Sequence, residues 1–207
     1  GFIILYSEKK DPVKDYLLKQ KVPFVVVGAA VDNENKVTYI DNDNKELGHE
    51  AVNYLQAKGH RKIGFVTDDL FGQVGQERYQ GYQEAADNLN LDVLPELVFS
   101  ARTIETFKKE LERFSPTALI VKDDLIALRL IQWLNNQGFR VPEEYAIISF
   151  NNSTFAEIMH PFLTTFDINI QELAKESVQN LLGILKATKI KSQKVIIPFK
   201  LIERESV

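Results

Sequence analysis

Carboxylates, carboxamides and hydroxyls recur in five clusters, each directly behind a short apolar run: Tyr6-Ser7-Glu8, Asp41-Asn42-Asp43, Thr67-Asp68-Asp69, Lys122-Asp123-Asp124 and Asn151-Asn152-Ser153. Carboxylates and carboxamides each hold two hydroxyls at once, so this set suits a neutral polyol. Taken singly, each cluster reads as turn formers and helix caps. Five together point to a polar ligand. The scattered glycines of "GFVTDDLFGQVGQERYQGY" (64–82) match neither the dinucleotide spacing G-x-G-x-x-G nor a phosphate loop ending in Gly-Lys-Ser/Thr.

In "TALIVKDDLIALRLIQWL" (117–134) two acids stand between a buried-looking run and a helix. The first N–H groups of a helix lack partners, and an Asp at the N-cap supplies an acceptor. That gives one acid a structural task and leaves the other for a ligand. Arg78 falls in the first turns of a helix beginning near Gln76, where a cation opposes the macrodipole. It gains nothing from that position except as a donor of several hydrogen bonds to hydroxyls, the alternative being an exposed helix charge.

Catalysis finds little support. His49, His60 and His160 are separated and show no metal-ligand spacing, so no metal and no cofactor are expected. No Gly-x-Ser-x-Gly elbow is present. Paired acids alone do not identify a glycosidase proton donor. Trp133 shares a helix face with Leu130 and Leu134 and reads more readily as core or subunit contact than as a sugar platform.

The elements that must position these groups alternate. Apolar runs at 2–6, 23–28, 37–41, 62–67, 96–100, 117–121, 145–150, 163–168 and 194–204 read as strands, the last as one continuous strand. Between them, helical periods run through 13–19, 44–58, 76–90, 104–114, 125–137, 155–159 and a long segment carrying Leu173 to Leu185. Such alternation implies parallel sheets covered by helices on both faces, and two small sheets with a cleft fit these short strands better than one. In open sheets of this kind ligands sit beyond the carboxyl ends of the strands, where the five clusters lie.

With 207 residues, 44% hydrophobic and 26% charged, the composition is that of a globular chain. A net charge of −4 argues against a nucleic-acid surface in these residues. The absence of cysteine fits a reducing compartment. The longest apolar stretch, "PFVVVGAAV", falls short of the roughly 20 residues of a membrane helix, so no membrane association is expected. The chain opens on Gly1 inside an apolar run, so its natural start is expected upstream.

The segments "LGHEAVNYLQAKGHRKIGFV", "QERYQGY", "PTALIVKDDLIAL", "NNQGFRVPEEYAIISFNN", "HPFLTTFDINIQELAKESVQNLL" and "LIERES", in this order and spacing, resemble the effector-binding core of the lactose/galactose-repressor (LacI/GalR) family of bacterial transcription regulators. The resemblance covers the whole chain. It implies a periplasmic-binding-protein-like α/β fold of two Rossmann-like subdomains joined by three crossing strands. The expected limits are 1–63 and 164–192 for the N-subdomain, incomplete at its start, and 64–163 and 193–207 for the C-subdomain. The helix-turn-helix headpiece that would grip operator DNA would lie outside this chain.

The resemblance also assigns roles. Arg78 falls on the family's effector-contacting arginine, Asp123 on the polar position facing the ligand, Asp124 on the acid that caps the helix, and Asn151, beside Asn152, on the usual effector-binding aspartate. Tyr6 and Asp41 complete the expected ligand set. "FNN" stands where aromatic-Asp-Asp or aromatic-Asp-Asn is common, and "VKDD" where "ANDD" is, which implies a different effector. "ISFNNS" followed by "LTTFDI" is similar to maltose-operon repressors of low-GC Gram-positive bacteria. The expectation is a cytoplasmic, homodimeric, sugar-responsive repressor rather than an enzyme, with maltose or a maltodextrin as effector. A transporter's sugar-binding protein, or a regulator whose effector is a phosphorylated carrier protein, are the alternatives.

Overall fold

A computed structural model describes residues 1–30, 36–68, 72–186 and 193–207. In chain order the first half holds β1 (Phe2–Leu5), α1 (Pro12–Lys19), β2 (Phe24–Val27), β3 (Tyr39–Asp41), α2 (Asn44–Ala57), β4 (Ile63–Thr67), α3 (Gln73–Asn88) and β5 (Leu97–Val98). Then follow α4 (Ile104–Phe114), β6 (Ala118–Val121), α5 (Asp124–Asn136), β7 (Ala146–Phe150), α6 (Phe155–Ile158), β8 (Thr164–Asp167), α7 (Ile170–Leu185), β9 (Lys194–Ile196) and β10 (Lys200–Ile202). Asp69 of the third polar cluster lies outside the described residues.

The chain divides into two compact units, Gly1–Asn44 with Gly72–Val74 and Asn169–Pro198, and Lys45–Phe71 with Gly75–Ile168 and Phe199–Val207. These limits differ from the expected ones for identifiable reasons. Leu47, Ala51 and Leu55 of α2 pack into the same core as Phe65 and Ile148, which takes that helix into the second unit. β8 belongs there too because it pairs with β7. The single closing strand expected over 194–204 is broken: β9 joins β3 in parallel, and β10 joins β8 antiparallel. Pro198, which has no N–H to give a ladder, stands at the break.

The first unit is a four-stranded parallel sheet ordered β1-β2-β3-β9. Its core gathers Leu17, Phe24, Val26, Val37 and Tyr39. Asp11 caps α1 by accepting from Val13 N at 2.8 Å and Lys14 N at 3.2 Å, with Pro12 in the first turn, where its missing N–H costs nothing.

The second unit is a six-stranded sheet ordered β10-β8-β7-β6-β4-β5, parallel except at β10. Side chains alternate between its faces at the strand period of two. Ile63, Phe65, Ala118, Ile120, Ile148 and Phe150 face a core shared with α2 and α3. Val66, Leu119, Val121 and Ile147 face another shared with α4 and α5. Covered on both faces, these strands read as unbroken apolar runs. Tyr82 is fully buried in the first core, where its hydroxyl donates to Ile63 O and accepts from Leu94 N, both at 2.9 Å.

Candidate functional site

The carboxyl edge of the six-stranded sheet collects most of the expected residues. At the end of β6 the cap falls on Asp123 rather than on Asp124. Asp123 is the N-cap of α5: its extended backbone, with φ −159° and ψ 166°, lets its Oδ1 accept from Ile126 N at 2.8 Å. Asp124, expected as the cap, is already the first helical residue and is 1% exposed. Its carboxylate accepts from Ser149 Oγ (2.5 Å), Thr165 Oγ1 (2.8 Å) and Ser153 N (2.6 Å), tying α5 to β7, β8 and the turn after β7. These donors offset the cost of taking the carboxylate out of water. Asp123 keeps one oxygen without a partner among the described residues, so the cap leaves an acceptor for a ligand.

Arg78 is not an exposed helix charge. α3 starts at Gln73, earlier than expected, which moves Arg78 into the second turn, where the macrodipole has faded. The residue is 5% exposed. Its Nη1 donates to Lys122 O at 2.9 Å, and the guanidinium lies 4.4 Å from the centre of the Phe150 ring. The height of α3 is set by two glycines. A Cβ on Gly48 would overlap the Arg78 carbonyl oxygen, and one on Gly81 would overlap the Lys45 carbonyl oxygen. Backbone therefore meets backbone where α2 crosses α3, beside the arginine.

The turn after β7 has unusual geometry. Asn151 has φ 110° and Asn152 φ 48°, conformations that favour glycine and cost roughly 1–3 kcal/mol each. Asn151 N donates to Phe166 O at 2.8 Å, while its carboxamide has no hydrogen-bond partner among the described residues. The Asn152 amide is engaged at both ends, donating to Asp167 Oδ2 (3.4 Å) and accepting from Arg204 Nη2 (2.8 Å).

The remaining candidates lie in the first unit. Tyr6 follows β1 with φ 58° and is 74% exposed. Asp41, 8% exposed, accepts from Asn42 N (2.8 Å) on one oxygen and Asn44 Nδ2 (2.7 Å) on the other.

Sequence reasoning missed a cavity of about 650 Å³ in the second unit, walled by Phe99, Ile104, Ile126 and Trp133, with Asp68 and Arg129 among its lining. Phe99, Phe107 and Trp133 meet edge to face at 5.1–5.9 Å. An aromatic wall with a carboxylate and a guanidinium suits a sugar, whose ring has an apolar face and a hydroxylated rim. Asp68 pairs with Lys122 Nζ at 2.5 Å, and Ile126 is the residue Asp123 caps, so the cavity adjoins the strand end that anchors Arg78. Among the described residues no group of three or more His, Asp or Glu is placed to hold a metal.

A periplasmic-binding-protein-like domain pattern matches residues 52–207. The HTH-type transcriptional regulator MalR of Staphylococcus xylosus is 29% identical over an alignment spanning 100% of this chain and 62% of the relative. A transcriptional regulator LacI structure from Bacillus cereus subsp. cytotoxis NVH 391-98 is 33% identical with a TM-score of 0.89, over 99% of this chain and 75% of that one. A complex of the regulator CelR with cellobiose is 26% identical with a TM-score of 0.88, over 100% of this chain and 65% of the other. The chain spans 54–62% of the length of the first curated relatives it matches.

Proposed function

Since the chain belongs to the periplasmic-binding-protein-like domain family, among the LacI-type transcriptional regulators, we propose that it is the effector-binding core of a sugar-responsive repressor, with maltose or a maltodextrin as effector. One observation carries this reading. The two anchors of buried Arg78, the Lys122 carbonyl and the Phe150 ring, belong to the residues immediately before Asp123 and Asn151. A fixed cation, an acceptor and an amide therefore converge on one strand edge, beside an aromatic-walled cavity. Arg78 donates to sugar hydroxyls, Asp123 accepts from them, and Asn151 does both. Asn152 supports the turn from behind. Maltose rests on the similarity to MalR; the likeness to the CelR–cellobiose complex supports a disaccharide more generally.

The regulator acts in the cytoplasm as a homodimer whose paired helix-turn-helix headpieces read an operator. Exposed Leu125, Phe155 and Ile158 on α5 and α6 supply an apolar patch suited to the partner copy. Sugar shifts the regulator toward release by binding one conformation better than the other.

Calorimetric titration with maltose, maltotriose, cellobiose, glucose and ribose tests this reading. Saturable binding of maltose or maltotriose, lost in Arg78→Ala, is expected. Binding of cellobiose instead would keep the sugar reading and discard maltose. Silence from all five would overturn the sugar reading.

A further inference from the structure

Arg204, near the end of the chain, reaches back to the strained turn after β7. Its Nη1 donates to Leu163 O at 2.9 Å. Its Nη2 donates to Asn152 Oδ1 at 2.8 Å and to Glu157 Oε1 at 3.0 Å. The side chain is 15% exposed, so the fork is mostly shielded from water. The backbone beneath it is fixed as well. Arg204 N donates to Thr164 Oγ1 at 2.9 Å. Ser206, fully buried, donates from Oγ to Ile147 O (2.6 Å) and accepts from Thr164 N (2.8 Å).

This geometry settles the orientation of the Asn152 amide. Its oxygen faces a cation and its nitrogen faces the Asp167 carboxylate, so a carboxamide satisfies both neighbours. A carboxylate at this position would meet Asp167 with like charge. Asn152 in turn holds a turn whose preceding residue, Asn151, sits at φ 110° with its side-chain carboxamide unpartnered among the described residues.

We propose that Arg204 is a positioning residue for the Asn151–Asn152 turn, so that the segment after β10 sets the direction in which Asn151 meets a bound sugar. The part concerning the sugar rests on the effector reading above; the part concerning the turn does not.

The test uses the full chain in two readouts. Amide hydrogen exchange at 151–153 needs no ligand. Arg204→Gln is expected to raise it by about tenfold or more, as loss of a charge-assisted hydrogen bond implies, while Phe65 and Ile120 in the central strands keep their protection. Asn152→Ala, which removes the acceptor and leaves the Arg204 backbone bonds in place, is expected to raise exchange at Asn151 likewise. Glu157→Gln, which weakens only the exposed ion pair, is expected to change nothing. Unaltered exchange at Asn151 in both Arg204→Gln and Asn152→Ala would overturn the proposal, and so would an equal rise in Glu157→Gln.

The second readout is affinity for whichever of maltose, maltotriose or cellobiose saturates the unmodified protein. Arg204→Gln is expected to weaken it about tenfold, with little further loss when added to Asn152→Ala. Fully additive losses would overturn the coupling. If none of these sugars binds, the effector reading falls and the exchange data alone decide the role of Arg204 in the turn.

Discussion

Asp41, the last residue of β3, and Asp124, three residues past β6, are both buried acids at the end of a buried strand, yet the two units use them differently. In the first unit Asp41 turns on its own neighbourhood, with both oxygens taken by Asn42 and Asn44. In the second, Asp124 draws its donors from residues 25–41 positions away and joins three elements. The first unit also leaves Phe2, Leu5, Tyr6, Val13 and Tyr16 exposed, whereas the second packs two cores against its sheet. A polar strand end is tied into the rest of the fold only where long-range packing supports it.

Trp133, the only tryptophan, belongs to the second unit, so its emission reports the unfolding of that unit. Asp124→Ala is expected to lower stability on this probe by about 3 kcal/mol or more, because buried donors lose their acceptor. Asp41→Ala is expected to leave the tryptophan transition in place and to cost about 1 kcal/mol on whole-chain circular dichroism, the scale of a local turn bond. Equal effects on the two probes would erase the contrast between the units.

Gly81→Ala comes next. The added methyl overlaps the Lys45 carbonyl oxygen, and the expected loss is about 1–3 kcal/mol in urea unfolding. Asp123→Ala is expected to cost about 1 kcal/mol for the lost cap, well below Asp124→Ala. The reverse order would overturn the structural role of buried Asp124.

The smallest effect concerns pH. Burial lowers the pKa of His60, whose Nδ1 lies 2.9 Å from Thr117 Oγ1. The unfolded chain then binds the proton more readily than the folded one. Stability from this group is present above about pH 6.5 and is lost as pH falls through the lowered folded value. Thermal melts between pH 5 and 8 are expected to show a slope on the acid side that His60→Gln reduces.

The order of strands and helices was legible because buried parallel strands and amphipathic helices carry distinct periods, and the boundaries of β4, β7 and α2 fall within a residue or so of expectation. Proline at 198 is a signal for the broken closing strand that the reading of 194–204 as one strand leaves unused. The placement of the cap on Asp123 rather than Asp124 was not legible. Either acid suits a cap, and the choice depends on Ser149, Ser153 and Thr165, which come near only through the fold. The burial of Arg78 depends likewise on a carbonyl 44 residues away. A glycine inside each helical pattern, Gly48 and Gly81, did offer a clue to close approach.

That glycine pair has a mechanical consequence. With no side chain between α2 and α3 at their crossing, the joint has no compressible spacer to absorb a small displacement. A push on the Arg78 guanidinium therefore reaches α2 through hard contact between two peptide planes. The crossing works as a stiff linkage, and a larger residue at either glycine would turn it into a damper.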